Sequence, residues 1–267
     1  MERVGLLAGV GRLPVECAKA AAKLGFEVCA VRLLPEAEEE LKTCTAECVD
    51  ISIGQLDQIL AYLKEKGIKK VTMLGKVTKE LLFSGKVVPD AHLLSLIAGL
   101  PDRKDDTIML MFVRELAKAG MQAFDQTALL RVLMPHRGTL SAREPSEAEK
   151  KDMEFGFRIA KELGRLDIGQ TVVVKGMAVM ALEAIEGTDA CIKRGGELAR
   201  GGAVVVKVAK PEQDSRFDVP TVGLDTLKGM NAVHAKALAI EAGKTLVVDQ
   251  EKVRKFADEN DMTIVAI

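Results

Sequence analysis

The sequence predicts an α/β protein, an N-terminal Rossmann-like parallel-sheet domain followed by a second, mixed α/β domain, and three observations predict it. Short aliphatic runs alternate with stretches of helical spacing along all 267 residues, the pattern of strands covered by helices. The texture breaks once, at MPHRGTLSAREPSE (134–147), which is polar, carries two prolines and lacks periodicity; it reads as a linker between domains at 1–133 and 148–267. Hydrophobic residues make up 48% of the chain but aromatics only 3%, with no tryptophan, so both cores must be built from Val, Ile, Leu, Ala and Met.

Each element follows from local signals. VGLLAGV reads as a buried strand, and PVECAKAAAKLG as a helix with Pro14 in its first turn and Gly25 at its end. FEVCAVRLL is a strand, DQILAYLKEKG a helix and KKVTMLGKV a third strand. Residues 92–119 read as two helical pieces broken near GLPD, and MQAFDQTALL as a strand with a short connection. Beyond the linker, Met153, Phe157, Ala160 and Leu163 recur at helical spacing. TVVVKGMAVMALEA is a long strand or hairpin, and TDACIKRGGEL a helix capped by Thr188 or Asp189. AVVVKVA is a strand, LDTLKGMNAVH a helix, AKALAIEAG with TLVVDQ a hairpin, EKVRKFADEN a helix and TIVAI a last strand.

Composition excludes several classes. A net charge of −1 gives no basic field for nucleic acid, and the scarcity of aromatics removes base-stacking platforms. The five cysteines fall at irregular spacing and read as reduced thiols. The start MERVGLLAGVGRLP lacks a signal-peptide pattern, and no uncharged run is long enough to span a bilayer. These points lead to the expectation of a cytoplasmic protein. Many α/β enzymes of this size self-associate, so the chain is compatible with a homodimer.

Three stretches carry candidate chemistry. GLLAGVGRLP places Gly9, Gly11 and Arg12 between a strand and a helix, where N–H groups and a positive dipole end suit a phosphate or ribose. The third glycine of a dinucleotide fingerprint is missing, and Arg32 stands where a ribose-binding carboxylate is expected. A plain tight turn explains the glycines equally well. EAIEGTDACIKR places Glu183, Glu186, Gly187, Thr188 and Asp189 at a strand end and helix start. KPEQDSRFDVPTVG concentrates Lys210, Gln213, Asp214, Arg216 and Asp218. If extended there, residues 214, 216 and 218 share a face, with two carboxylates flanking a guanidinium. That arrangement suits an Mg²⁺ held by Asp214 and Asp218 with substrate phosphate, Arg216 pairing with phosphate oxygens. A surface salt bridge is the competing reading.

Taken in order, LDIGQTVVVKGMAVMALEAIEGTDACIKR, VVVKVAKPEQDSRFDVPTVGLDTL and ALAIEAGKTLVVDQ closely resemble the LpxI family of UDP-2,3-diacylglucosamine pyrophosphatases of lipid A biosynthesis. GLLAGVGRLPVECAKAAAKLG, MLGKVTKELLF and RKDDTIML are similar to that family's first domain, with Val10 interrupting its usual glycine triplet. The resemblance implies Mg²⁺-dependent hydrolysis of a UDP-diacylglucosamine lipid to UMP and 2,3-diacylglucosamine 1-phosphate. It also implies a substrate held between the two domains and transient contact with the inner membrane from the cytoplasmic side. On that reading Asp214 or Asp218 binds metal or activates water, and Arg216 and Lys210 offset phosphoryl charge. Glu186, Gly187, Thr188, Asp189 and Gln213 then line the substrate site with Gly9, Gly11 and Arg12. Two alternatives come from other classes: a nicotinamide-dependent oxidoreductase, or a non-catalytic nucleotide-sugar-binding protein.

Overall fold

The computed structural model describes residues 1–77, 87–102 and 105–267, without the side chains of 105 and 106. The stretches MLGKVTKELLF and RKDDTIML therefore lie partly outside the described residues. The chain forms two units, one of Met1–Leu130 with Ser215–Phe217, the other of Arg131–Asp214 with Asp218–Ile267.

The first unit is a doubly wound α/β layer. Its strands are β1 (Glu2–Ala8), β2 (Phe26–Arg32), β3 (Glu47–Asp50), β4 (Lys70–Leu74) and β5 (Gln122–Ala123). All pair in parallel in the order β3-β2-β1-β4-β5, the order of a Rossmann-type sheet. The helices are α1 (Leu13–Lys23), α2 (Leu41–Cys44), α3 (Leu56–Glu65), α4 (Ala91–Ala98), α5 (Asp105–Lys118) and α6 (Gln126–Leu130). Pro14 occupies the first turn of α1 as its fixed φ favours, and Gly25 follows the helix at φ 85°. Asp90 caps α4, its carboxylate accepting from the Leu93 N–H at 2.8 Å. Leu7, Cys29, Val31, Ile59, Leu63, Val71 and Met121 meet in one core cluster.

Sequence reading missed α2 and β3. Glu47–Asp50 is a half-buried edge strand, too short to show a period. It also left 126–130 as a connection, where a short helix forms with Gln126, Leu129 and Leu130 buried.

The second unit is built on a mixed six-stranded sheet. Its strands are β6 (Gly138–Thr139), β7 (Thr171–Lys175), β8 (Ala178–Leu182), β9 (Val204–Lys207), β11 (Ala237–Ile240) and β13 (Thr263–Ala266), in the order β6-β13-β11-β9-β7-β8. β9, β11 and β13 are parallel, while β6, β7 and β8 pair antiparallel with their neighbours. The helices are α7 (Glu147–Arg165), α8 (Gly187–Ala199), α9 (Leu224–Ala232) and α10 (Gln250–Glu259).

Strand periodicity sorts the valines onto two faces. Val172, Val174, Val204 and Val206 join Met153, Ala160 and Leu163 of α7, and Val173 and Val205 join Ile192, Leu227 and Met230. A sheet covered on both faces needs such uninterrupted aliphatic runs. Small residues let the layers close. A methyl on Gly156 of α7 would stand 2.6 Å from Val206, and one on Gly195 of α8 would stand 2.5 Å from Val173.

The polar stretch 134–147 has hydrogen-bonding partners in this unit. Leu140 N–H donates to the Ile264 carbonyl at 2.8 Å, and Ser141 Oγ accepts from Ile264 N–H at 2.9 Å. Ser146 and Glu149 close a capping box at the start of α7. The hairpin expected at 235–250 does not form. β11 is flanked on both sides by β9 and β13, which leaves no edge for the following strand. That strand, β12 (Leu246–Val247), pairs instead with β10 (Thr221–Val222) in a separate parallel ribbon.

Gly195→Val should destabilise the second unit by about 1–3 kcal/mol through overpacking, well above the few tenths gained in helix propensity. A urea melt followed by circular dichroism checks this; an unchanged midpoint would refute the close α8–β7 contact.

Candidate functional site

The second sheet sends β9 and β11 to the same end, where open α/β sheets place their ligands. Lys207 is the last residue of β9, in register with Thr171 on one side and Ile240 on the other. Alternation puts it on the Val205 face, the side covered by α8. It is only 8% exposed.

A buried ammonium must be met by acceptors and negative charge. Lys207 Nζ donates to Thr188 Oγ1 at 3.2 Å and to the Thr221 carbonyl at 3.0 Å. The Thr188 hydroxyl donates to Glu183 Oε1 at 2.9 Å. Glu183 is itself buried, and its second oxygen accepts from the Gln170 N–H at 3.2 Å. Burial pushes the Lys207 amine below its ordinary value, and the charges of Glu183, Asp189 and Asp218 only partly offset that. A desolvated cation with named carboxylate partners at a strand end is the kind of group functional sites use.

Thr188 or Asp189 was expected to cap α8. The observed N-cap is Glu186, without a side-chain cap bond, and Gly187 takes φ 80°. Thr188 is thereby turned toward Glu183 and Lys207 instead. Glu186 is drawn away: its carboxylate pairs with Arg194 at 2.5 Å and accepts from the Ala184 N–H at 3.1 Å, and the Arg194 bond lowers its pKa.

The loop after β9 is folded rather than extended. Asp218 N–H donates to the Asp214 carbonyl at 2.9 Å, so strand alternation does not bring 214, 216 and 218 onto one face. Lys210 N–H donates to Gln213 Oε1 at 2.7 Å, and Gln213 Nε2 donates to Asp218 Oδ2 at 2.6 Å. Lys210 Nζ pairs with Asp167 at 2.7 Å. Within the first unit, the Arg216 guanidinium lies 5.8 Å from the Phe217 ring centroid, and the Ser215 carbonyl accepts from Gln126 N–H at 3.0 Å.

The glycine turn of the first unit has a structural account. Gly9 N–H donates to the Leu74 carbonyl at 2.8 Å, and Val10 and Lys76 exchange both backbone bonds at 3.0 and 2.7 Å. A methyl on Gly9 would meet the Lys76 carbonyl at 2.8 Å, so the missing side chain admits protein backbone. Gly11 takes φ 104°, with nothing within 4 Å of an added methyl. Arg12 is salt-bridged to Glu40 and lies 3.7 Å from Glu16. Hydrogen bonds from Arg12 and Lys19 lower the Glu40 carboxyl to about 2. Arg32 is buried against Glu39 at 2.7 Å, Asp50 at 2.9 Å and the Ala37 carbonyl at 2.7 Å, which argues against a dinucleotide ribose there.

Among the described residues no three His, Cys, Asp or Glu side chains are grouped to cage a metal alone. The negative charges of Glu183, Asp189 and Asp218 are instead directed at the Lys207 ammonium. Sequence reading named Thr188, Asp189 and Asp218 but passed over Lys207. The available signal was a single charge inside AVVVKVA.

The Lys207 amine predicts a pH signature. Its folded pKa is depressed, so the unfolded chain binds the extra proton between that value and the ordinary 10.5. Stability therefore rises with pH across this window. Lys207→Met should gain stability relative to wild type as pH falls from 10.5 toward neutrality. Paired urea melts across that range check this, and a pH-independent difference would contradict it.

Comparison with known proteins agrees with this architecture. The LpxI N-terminal domain family matches residues 3–133, and the LpxI C-terminal domain family matches residues 136–265. A relative from Caulobacter vibrioides, named UDP-2,3-diacylglucosamine pyrophosphatase LpxI, is 32% identical over 278 residues, covering 100% of this chain and 98% of that protein. Among solved structures, the biotin carboxylase domain of a single-chain bacterial carboxylase aligns at 19% identity and TM-score 0.28, over 56% of this chain and 33% of that one. The N5-carboxyaminoimidazole synthetase of Staphylococcus aureus aligns at 17% identity and TM-score 0.24, over 65% and 38%. Likenesses that faint carry no functional argument. Two domain families in the right order and a full-length relative decide the matter: the chain belongs to the LpxI family.

Proposed function

We propose that this protein hydrolyses the diphosphate bond of UDP-2,3-diacylglucosamine, giving UMP and 2,3-diacylglucosamine 1-phosphate, with Mg²⁺ as cofactor. Family membership over the full length supports the substrate class. The observation that carries the chemistry is Lys207, a desolvated cation set among Glu183, Thr188, Asp189 and Asp218.

The division of labour follows from charge. A diphosphate brings concentrated negative charge, and pre-set donors in a site shielded from water stabilise it most. Lys207, whose ammonium keeps one proton beyond its bonds to Thr188 and Thr221, is proposed to receive a phosphoryl oxygen. Lys210 and Arg216 are proposed to offset charge on the transferring phosphoryl group. Asp214 and Asp218 would hold Mg²⁺, with Gln213 orienting Asp218 through its 2.6 Å bond. The bound ion supplies charge neutralisation and a more acidic water. No described helix is long and apolar enough to cross a membrane, so contact with the lipid is proposed to be transient and at the inner-membrane surface.

Incubation with UDP-2,3-diacylglucosamine should release UMP in the presence of Mg²⁺ and stop on chelation; the absence of UMP at any metal concentration would overturn the assignment. Asp218→Asn and Lys207→Met should each lower kcat by about 10²–10³-fold, the scale seen when one pre-set electrostatic group is removed. Wild-type turnover in both would remove this cluster from the chemistry.

A further inference from the structure

Two residues outside the cluster hold the root of the loop that carries it. Ala209 lies two positions beyond the end of β9 and immediately before Lys210. Both polar groups of this residue are taken by side chains from elsewhere in the second unit. Its N–H donates to Glu241 Oε2 at 2.9 Å, and its carbonyl accepts from Lys161 Nζ at 2.7 Å. Lys161 Nζ also reaches Glu241 Oε2 at 3.0 Å, which closes a ring around Ala209. Lys161 stands on α7, and Glu241 directly follows β11, the strand beside β9.

The ring is charged and largely dry. Glu241 is 8% exposed. Burial pushes its carboxyl up, but hydrogen bonds from Lys244, Lys161 and the Ala209 N–H outweigh burial and hold it below its ordinary value. A second constraint acts one residue on. Gly164, near the end of α7, brings the helix so close that an added methyl would stand 3.2 Å from the Lys210 Cα. From there hydrogen bonds run onward, from Lys210 N–H to Gln213 and from Gln213 to Asp218.

We infer that Lys161 and Glu241 are positioning residues, which clamp both polar groups of Ala209 and so set where Gln213 and Asp218 are presented. This rests on the reading of Asp218 as part of a hydrolytic site, yet the clamp itself has a readout independent of activity. Neither residue touches the cluster around Lys207 through any bond described above. Their effect on it must pass along the backbone from Ala209.

The test uses the full chain and three variants. Lys161→Met removes the bond to the Ala209 carbonyl and one of the two lysine partners of Glu241. Lys161→Arg restores a cation at the same place. Gly164→Ala presses on the Lys210 backbone while leaving the ring intact. Amide hydrogen exchange should speed up by about tenfold or more at 210, 213 and 218, whose N–H groups are bonded within the loop, in Lys161→Met, with β9 unchanged, and return toward wild type in Lys161→Arg. In turnover of UDP-2,3-diacylglucosamine, Lys161→Met and Gly164→Ala should lower kcat by about ten- to a hundredfold with KM little changed, since small misplacement of a reacting group is costly. Unchanged exchange in the loop overturns the clamp, as does loss of kcat only in proportion to the unfolded fraction. Absence of wild-type turnover with loop exchange still raised in Lys161→Met would defeat the assigned reaction and leave the clamp standing.

Discussion

An ammonium group taken out of water organises the second unit. Removing an ion from solvent costs several kcal/mol unless charge and hydrogen bonds replace the lost hydration. Lys207 recovers part of that cost through the Thr188 hydroxyl and the Thr221 carbonyl, with Glu183, Asp189 and Asp218 supplying negative charge. Glu183 is in turn steadied by Thr188 and by the Gln170 N–H. The arrangement explains why α8 begins as it does. Gly187 turns the chain at positive φ, so the hydroxyl two residues after Glu186 faces inward rather than capping its own helix.

The first unit depends on a different constraint, the close approach of two backbones. The turns after β1 and β4 touch at Gly9 and Gly75, where a methyl on Gly75 would stand 2.7 Å from the Gly9 carbonyl carbon. The Val10–Lys76 bridge then ties these turns together. In dinucleotide-binding sheets the glycines after the first strand admit a pyrophosphate. Here Gly9 admits another stretch of protein, and Arg32 is occupied by Glu39 and Asp50. A Rossmann-type strand order thus occurs without the features that hold a nicotinamide nucleotide, which is why function has to be argued from sites and not from fold.

Much of this was legible in the sequence, and particular residues show where legibility stopped. The runs TVVVK and VVVKVA announced strands, and Met153, Ala160 and Leu163 announced the helix above them; that the strands are buried on both faces emerges only from the packing. The family resemblance ran along nearly the whole chain and was most specific between 166 and 250, where the acidic stretches at 183–194 and 210–223 follow β8 and β9. Ala237–Ile240 and Leu246–Val247 looked like a hairpin because they are close in sequence and similar in composition. Which strand occupies each side of β11 is decided by long-range pairing that no local pattern records. The conformation of the loop at 210–218 left no trace in a stretch of prolines and charges without periodicity, and side-chain hydrogen bonds through Gln213 fold it back on itself. Lys207 was hidden for the opposite reason, since one polar residue in an aliphatic strand looks like an interruption until its neighbours are known.

The placement of β13 has a consequence for how the molecule is made. Residues 263–266 lie between β6 and β11, well inside the second sheet, whereas the first sheet has all its strands by residue 123. During synthesis the first sheet can zip up while the ribosome is still far from 263, and domains generally fold in that order. The second sheet, by contrast, waits with one side of β11 unpaired, an edge open to any chaperone or stray strand that arrives first. Nascent chains stalled before residue 263 would be the ones most in need of a holdase.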